Sequence, residues 1–115
     1  MEGILTWQEI YKKYKDTELM KEFDVYLDEQ MEIPQEVLDM CCGAEKMNIK
    51  DIWGYLICFA EDYLFYIDYD GEFNLFDASI IDKESNTVID SDTGNKSQEE
   101  CMLWCADKFF EISTN

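Results

Sequence analysis

Apolar residues recur at three- and four-residue intervals through the first forty positions, then shift to runs of β-branched and aromatic residues broken by Asp, Gly and Asn. Thr6-Trp7-Gln8-Glu9 fits a capping box, and Trp7, Ile10, Tyr11 and Tyr14 follow at helical spacing. This predicts a first short helix. Asp16 or Thr17 offers a second cap ahead of Leu19, Met20, Phe23 and Leu27, which share one stripe, while Glu18, Glu22, Asp28 and Glu29 fill the remaining surface. Pro34, the only proline, suits the first position of a third helix through Val37, Leu38 and Cys41, with Gly43 placed to end it.

From Trp53 to Ile89 the pattern reads as a meander of three or four antiparallel strands. Residues 49 to 60 satisfy two templates. Ile49, Ile52, Trp53, Leu56 and Phe59 fit a helix behind an Asn48 cap, whereas Trp53, Tyr55, Ile57 and Phe59 alternate as in a strand; the reading leans to strand. Ser91 to Lys96 reads as a loop, and Ser97-Gln98-Glu99-Glu100 as a capping box opening a helix. Cys101, Cys105, Phe109 and Ile112, with Met102 and Ala106, give that helix a wide apolar face to lay on the sheet. The expected fold is α+β: N-terminal helices, a central antiparallel meander and a C-terminal helix, in a single domain spanning residues 1–115.

Charge changes the picture most. Twenty-seven acidic residues stand against nine basic ones, all lysine, for a formal charge of −18, and histidine and arginine are absent. Such a surface is steered toward positive partners and away from nucleic acid and anionic lipid. The absent histidine removes the usual general base near neutral pH, and the absent arginine removes the usual bidentate clamp for phosphate. Aromatic residues at 15% nonetheless mark a core-forming chain. No stretch approaches the roughly 18 apolar residues of a membrane span, and the N-terminus lacks a secretion signal, so a soluble cytoplasmic protein is expected. Five cysteines, Cys41, Cys42, Cys58, Cys101 and Cys105, then read as reduced thiols behaving as small hydrophobes, and neither metal nor cofactor is expected.

The densest local signal is Asp68-Tyr69-Asp70-Gly71-Glu72. A three-residue hairpin loop, Tyr69 to Gly71, pairs Ile67 with Phe73 and Phe65 with Leu75, and sets Asp68 opposite Glu72 on the solvent face. Asp68, Asp70 and Gly71, with Asp77, also fall in a partial EF-hand-like frame, but that frame starts on Tyr66 and its flanks read as strands. Asp90 to Asn95 reads as a second acidic turn. Carboxylate pairs have no specificity in so acidic a chain, and a cysteine nucleophile lacks a histidine base. Lys12, Lys13 and Lys15 form the only basic cluster and read as a solvated helix face. No enzyme is expected.

Residues 61 to 92 hold ten acids and one lysine, Lys83, so half of the net negative charge lies in the expected sheet and its turns. Alternate strand residues stand about 6.6–6.8 Å apart, near the axial distance of two nucleotides on one strand. On that spacing Asp68, Asp70, Glu72, Asp77, Asp82, Glu84, Asp90 and Asp92 are candidate partner-binding residues that imitate spaced phosphates. Size, charge and element order resemble two groups of small acidic proteins: phage anti-restriction or anti-CRISPR inhibitors that mimic nucleic acid, and bacterial immunity proteins that neutralise nuclease toxins. The resemblance implies a basic protein partner, a nuclease or other nucleic-acid-binding enzyme, and no direct contact with nucleic acid or membrane. A competing expectation is an interaction module that uses an exposed patch of Trp7, Tyr11 and Tyr14.

Overall fold

A computed structural model describes residues 4–31 and 43–114. Helix α1, Trp7–Tyr14, opens on the expected capping box: the Glu9 amide donates to Thr6 Oγ1 at 3.2 Å, and the Thr6 amide donates to Glu9 Oε1 at 3.0 Å. Helix α2, Glu18–Met31, is capped by Thr17, whose Oγ1 accepts the Met20 amide at 3.2 Å. The third helix expected from Pro34 lies outside the described residues. A 3-10 turn over Gly43–Lys46 begins on the glycine expected to end it.

Residues Ile49–Phe59 form helix α3, correcting the lean to strand. Asn48 Oδ1 accepts the Lys50 amide at 3.0 Å, which supplies the start signal, and Ile49, Ile52 and Leu56 are buried at intervals of three and four. The alternating set Trp53, Tyr55, Ile57 and Phe59 lies on the flanks of that stripe, with none fully buried. Three strands follow: β1, Tyr63–Asp70; β2, Leu75–Asp82; and β3, Thr87–Asn95. They make an antiparallel meander in the order β1-β2-β3. Ser91–Asn95, expected as loop and acidic turn, is the second half of β3, where a register shift between Asp92 and Asn95 and Gly94 at φ +78° accommodate the irregular backbone.

Helix α4, Gln98–Thr114, is the hub. Ser97 Oγ accepts the Glu100 amide at 3.2 Å, while Glu100 Oε1 takes the Lys96 amide instead of that of Ser97. One side of α4 sets Cys101 and Cys105 against Ala78 of the sheet, where the small residue permits close approach. Its other side carries Phe110 into a cluster with Trp7, Tyr14 and Phe23 at centroid distances of 6.2, 5.6 and 6.0 Å. Phe109 meets Phe59, Tyr63 and Phe65 edge-on and knits α3 to β1. The α+β arrangement is as expected: N-terminal helices, meander, and C-terminal helix on the sheet.

The aromatic residues of α1 are core, not surface. Trp7 is 2% exposed and Tyr14 7%, and half-buried Tyr11 donates its hydroxyl to Asp24 Oδ2 at 2.6 Å. Tyr14 donates to Asp107 Oδ1 at 3.0 Å beside the Lys13–Asp107 ion pair at 3.2 Å, which ties α1 to α4. An interaction patch on Trp7, Tyr11 and Tyr14 is therefore ruled out. No helix among the described residues is long and apolar enough to cross a membrane.

Candidate functional site: the outer sheet face

The strand register sorts side chains onto two faces, since directly opposed residues of an antiparallel pair project to the same side. On the helix side the cross-strand sets are Phe65, Ile80 and Asp90, then Ile67, Ala78 and Asp92, then Tyr69, Phe76 and Asn95. The outer side carries Leu64, Ile81 and Val88 in one row, Tyr66, Ser79 and Ser91 in the next, then Asp68 with Asp77, and finally Asp70 with Leu75. Rows two residues apart are separated by about 6.6–6.8 Å, so this face grades from apolar to acidic over about 20 Å. Among the described residues no element covers it: Leu64 is 44% exposed, Tyr66 53% and Val88 59%.

The hairpin differs from its expected register. Asp70 opposes Leu75, leaving Gly71, Glu72, Phe73 and Asn74 as a four-residue connection. The left-handed residue is Asn74, at φ +56°, in place of the glycine that a three-residue loop needed. Tyr69 secures it by donating its hydroxyl to Asn74 Oδ1 at 2.6 Å and packing on Phe76 at 5.0 Å. Ile67 consequently faces Ala78 and Phe65 faces Ile80, while Phe73 is stranded at the tip, 67% exposed. The shift has a packing reason: it brings the buried Ala78 and Ile80 under α4, and neither Phe73 nor Leu75 takes that place. Asp68 opposes Asp77, so the like-charge pair exists with a different partner from the expected Glu72.

The eight candidate acids divide into three groups. Asp68, Asp70 and Asp77 share the outer face, and Glu72 stands in the adjoining hairpin connection. Local backbone amides hold three of them: Asp68 accepts that of Tyr69 at 3.0 Å, Asp70 that of Glu72 at 3.0 Å and Asp77 that of Gly94 at 3.4 Å. Asp82 and Glu84 sit at the opposite end of the sheet, where Asp82 accepts the Glu84 amide at 2.9 Å and organises the β2–β3 turn. Asp90 and Asp92 belong to the helix side. Asp90 Oδ2 is 2.9 Å from Lys108 Nζ, and that hydrogen bond, with the Ser91 amide, holds its carboxyl below the usual carboxylate range. Asp92 borders an open hollow of about 770 Å³ that Lys13, Trp104 and Asp107 also line.

The ion pairs among the described residues join Lys13 to Asp107, Lys21 to Glu18, Lys50 to Glu99, and Lys108 to Asp90 and Glu111. None reaches Asp68, Asp70, Glu72 or Asp77. Among the described residues no group of three or more Cys, Asp or Glu side chains is placed to hold a metal ion. The thiols of Cys101 and Cys105 are buried and unpaired, and burial pushes them up to about 11 and about 12; Cys58 is exposed. Sequence reasoning missed the apolar half of the outer face. Its signal is the run Tyr63-Leu64-Phe65-Tyr66-Ile67, apolar at both parities, as in a strand packed on both sides. In comparisons with known proteins, no family model, no curated protein and no solved structure matches this chain.

Proposed function

We propose that this protein is a non-enzymatic inhibitor whose acidic sheet end enters the Lys/Arg-lined channel of a nucleic-acid-binding enzyme and excludes its substrate. The observation that carries the reading is the segregation of charge. Four of the nine lysines, Lys13, Lys21, Lys50 and Lys108, pair with acids on and around the helices, while Asp68, Asp70, Glu72 and Asp77 at one end of the sheet have no lysine in ion-pair range among the described residues. Asp68 and Asp70 retain the two-residue spacing along β1 that imitates phosphates two nucleotides apart. Asp82, Glu84, Asp90 and Asp92 take no part in this reading, because they lie at the far end of the sheet or face α4.

The test is displacement of a fluorescent DNA duplex from a basic nuclease. The protein alone should not bind the duplex at physiological salt, but should release it from the enzyme. The variant Asp68→Lys/Asp70→Lys/Glu72→Lys should keep its fold and lose most of that capacity, since a partly desolvated charge pair is worth about 2–5 kcal/mol when broken. A control reversing Glu18 and Glu22 on α2 should displace nearly as well as the parent. Equal losses from both variants would reduce the effect to net charge and remove the hairpin from the reading.

A further inference from the structure

Strand β1 is apolar on both faces over Tyr63 to Ile67, yet among the described residues only one of those faces is packed. Phe65 stacks on Trp53 at 5.4 Å, and Ile67 lies beside Ala78 under α4. Leu64 and Tyr66 project the other way, where cross-strand neighbours Ile81 and Val88 extend the apolar row over all three strands. An apolar row half open to water, ending in Asp68 and Asp77, which have no ion-pair partner among the described residues, is a composite of two binding chemistries on one flat surface.

We infer that the outer sheet face docks a protein element carrying an apolar strip bordered by lysine or arginine. The strip seats on Leu64, Tyr66, Ile81 and Val88, and the cations meet Asp68 and Asp77. The inference rests on the inhibitor reading above and specifies its partner as a protein surface with apolar as well as basic character. Charge complementarity selects this occupant. A second copy of the chain would bring its own acids against Asp68 and Asp77, and nucleic acid and anionic lipid are repelled for the same reason. A purely cationic surface would satisfy the acids but leave the Leu64–Ile81–Val88 row in water, forgoing the contribution of apolar burial.

Two helical peptides with equal numbers of lysines serve as probes, one with leucine along the stripe that the lysines border and one with serine there. They are titrated against the full chain at about 0.1 M and about 1 M salt, where the Debye length falls from about 10 Å to about 3 Å. The leucine peptide should bind about tenfold more tightly, the scale of one well-buried aliphatic contact, and should keep part of its affinity at high salt. Leu64→Thr/Tyr66→Thr/Val88→Thr, which retains β-branched residues in the strands, should erase the difference and leave serine-peptide binding unchanged. Amide shift mapping on the parent chain gives a readout independent of that variant, with perturbation expected on β1 and β3. Equal affinity for the two peptides, or a leucine-peptide preference that survives the threonine variant, would overturn the inference while leaving the acidic inhibitor intact. Binding of neither peptide would overturn both. A dimer of the parent chain that the threonine variant abolishes would replace the proposed occupant with a second copy.

Discussion

Asp68 on β1 stands directly across from Asp77 on β2, with no lysine among the described residues in range of either carboxylate. Opposed strand residues are about 4.5–5.5 Å apart at Cα, so two like charges share one short row. The fold carries a local repulsion here that a cationic partner would relieve.

Asp68→Asn should therefore stabilise the free protein by about 0.2–1 kcal/mol at low salt, and the gain should shrink as salt screens the parent's repulsion. Asn keeps an acceptor for the Tyr69 amide. Asp77→Asn should give a gain of the same sign, since Asn there likewise keeps an acceptor for the Gly94 amide. Urea unfolding at two salt concentrations measures both. A gain from Asp68→Asn that is independent of salt would locate the effect outside the charge pair.

Phe110 should be the costliest side chain to truncate. It is fully buried and touches Trp7, Tyr14, Phe23 and Phe109, so it joins α1, α2 and α4. Phe110→Ala should cost about 3–5 kcal/mol through lost transfer energy and the cavity left behind. Phe73→Ser at the exposed hairpin tip should change stability by less than about 0.5 kcal/mol. Thermal or urea melts of the two variants test the contrast, and comparable losses would contradict the core placement.

The helical part of the fold was legible because its signals are local. Thr6, Thr17 and Ser97 act at the caps where the sequence puts them, and Met20, Phe23 and Leu27 are buried as one stripe. Residues 49 to 60 were not, because apolar residues at both periods satisfy both templates, and only the Asn48 side chain separates them. The hairpin register was missed because Tyr69-Asp70-Gly71 offered a local turn, whereas the choice is tertiary: Ala78 is small enough for Cys101 and Cys105 to pack over it. The same shift dispersed the candidate acids. A strand's sequence shows which residues share a face, but not which face a helix will cover, so Asp90 and Asp92 could not be told from Asp68 and Asp77 before the register was known.

The buried thiols should be chemically silent in the folded protein. Burial, with nearby acids adding to the effect at Cys101, raises both thiols and leaves almost no thiolate near neutral pH. In a background carrying Cys41→Ser and Cys42→Ser, a thiol reagent at mildly alkaline pH should titrate Cys58 quickly and Cys101 and Cys105 only on unfolding. Because their folded values are raised, these thiols contribute stability that is fully present below the ordinary cysteine range. It is lost as pH rises toward about 11 for Cys101 and about 12 for Cys105. Cys101→Ala/Cys105→Ala should flatten this alkaline loss even though it lowers stability at neutral pH. Rapid labelling of three cysteines in the native state would contradict the packing of α4 on the sheet.

Lys108 links the end helix to β3 and should show a pH-dependent coupling to Asp90. Its Nζ lies 2.9 Å from Asp90 Oδ2 and 3.3 Å from Glu111 Oε2, and sits over the Trp104 ring, 5.9 Å from its centroid. Asp90 is lowered, first by the Lys108 hydrogen bond and then by the Ser91 amide, so its contribution is present above the unfolded carboxylate range and lost as pH falls through the lowered folded value. Lys108 is raised, chiefly by its hydrogen bond to Asp90, so its contribution is present below the ordinary lysine range and lost as pH rises through the raised value. Both contributions are in place near neutral pH. Asp90 is 47% exposed, which screens the pair and keeps the expected coupling at about 0.2–1 kcal/mol. A double-mutant cycle of Lys108→Met and Asp90→Asn isolates it, the methionine preserving the apolar stem. The coupling should be full at about pH 7 and shrink progressively on acidification toward about pH 2, as the parent's Asp90 is protonated through its lowered value. A coupling of the same size at both pH values would mean that packing of the stem, and not the ion pair, joins α4 to β3.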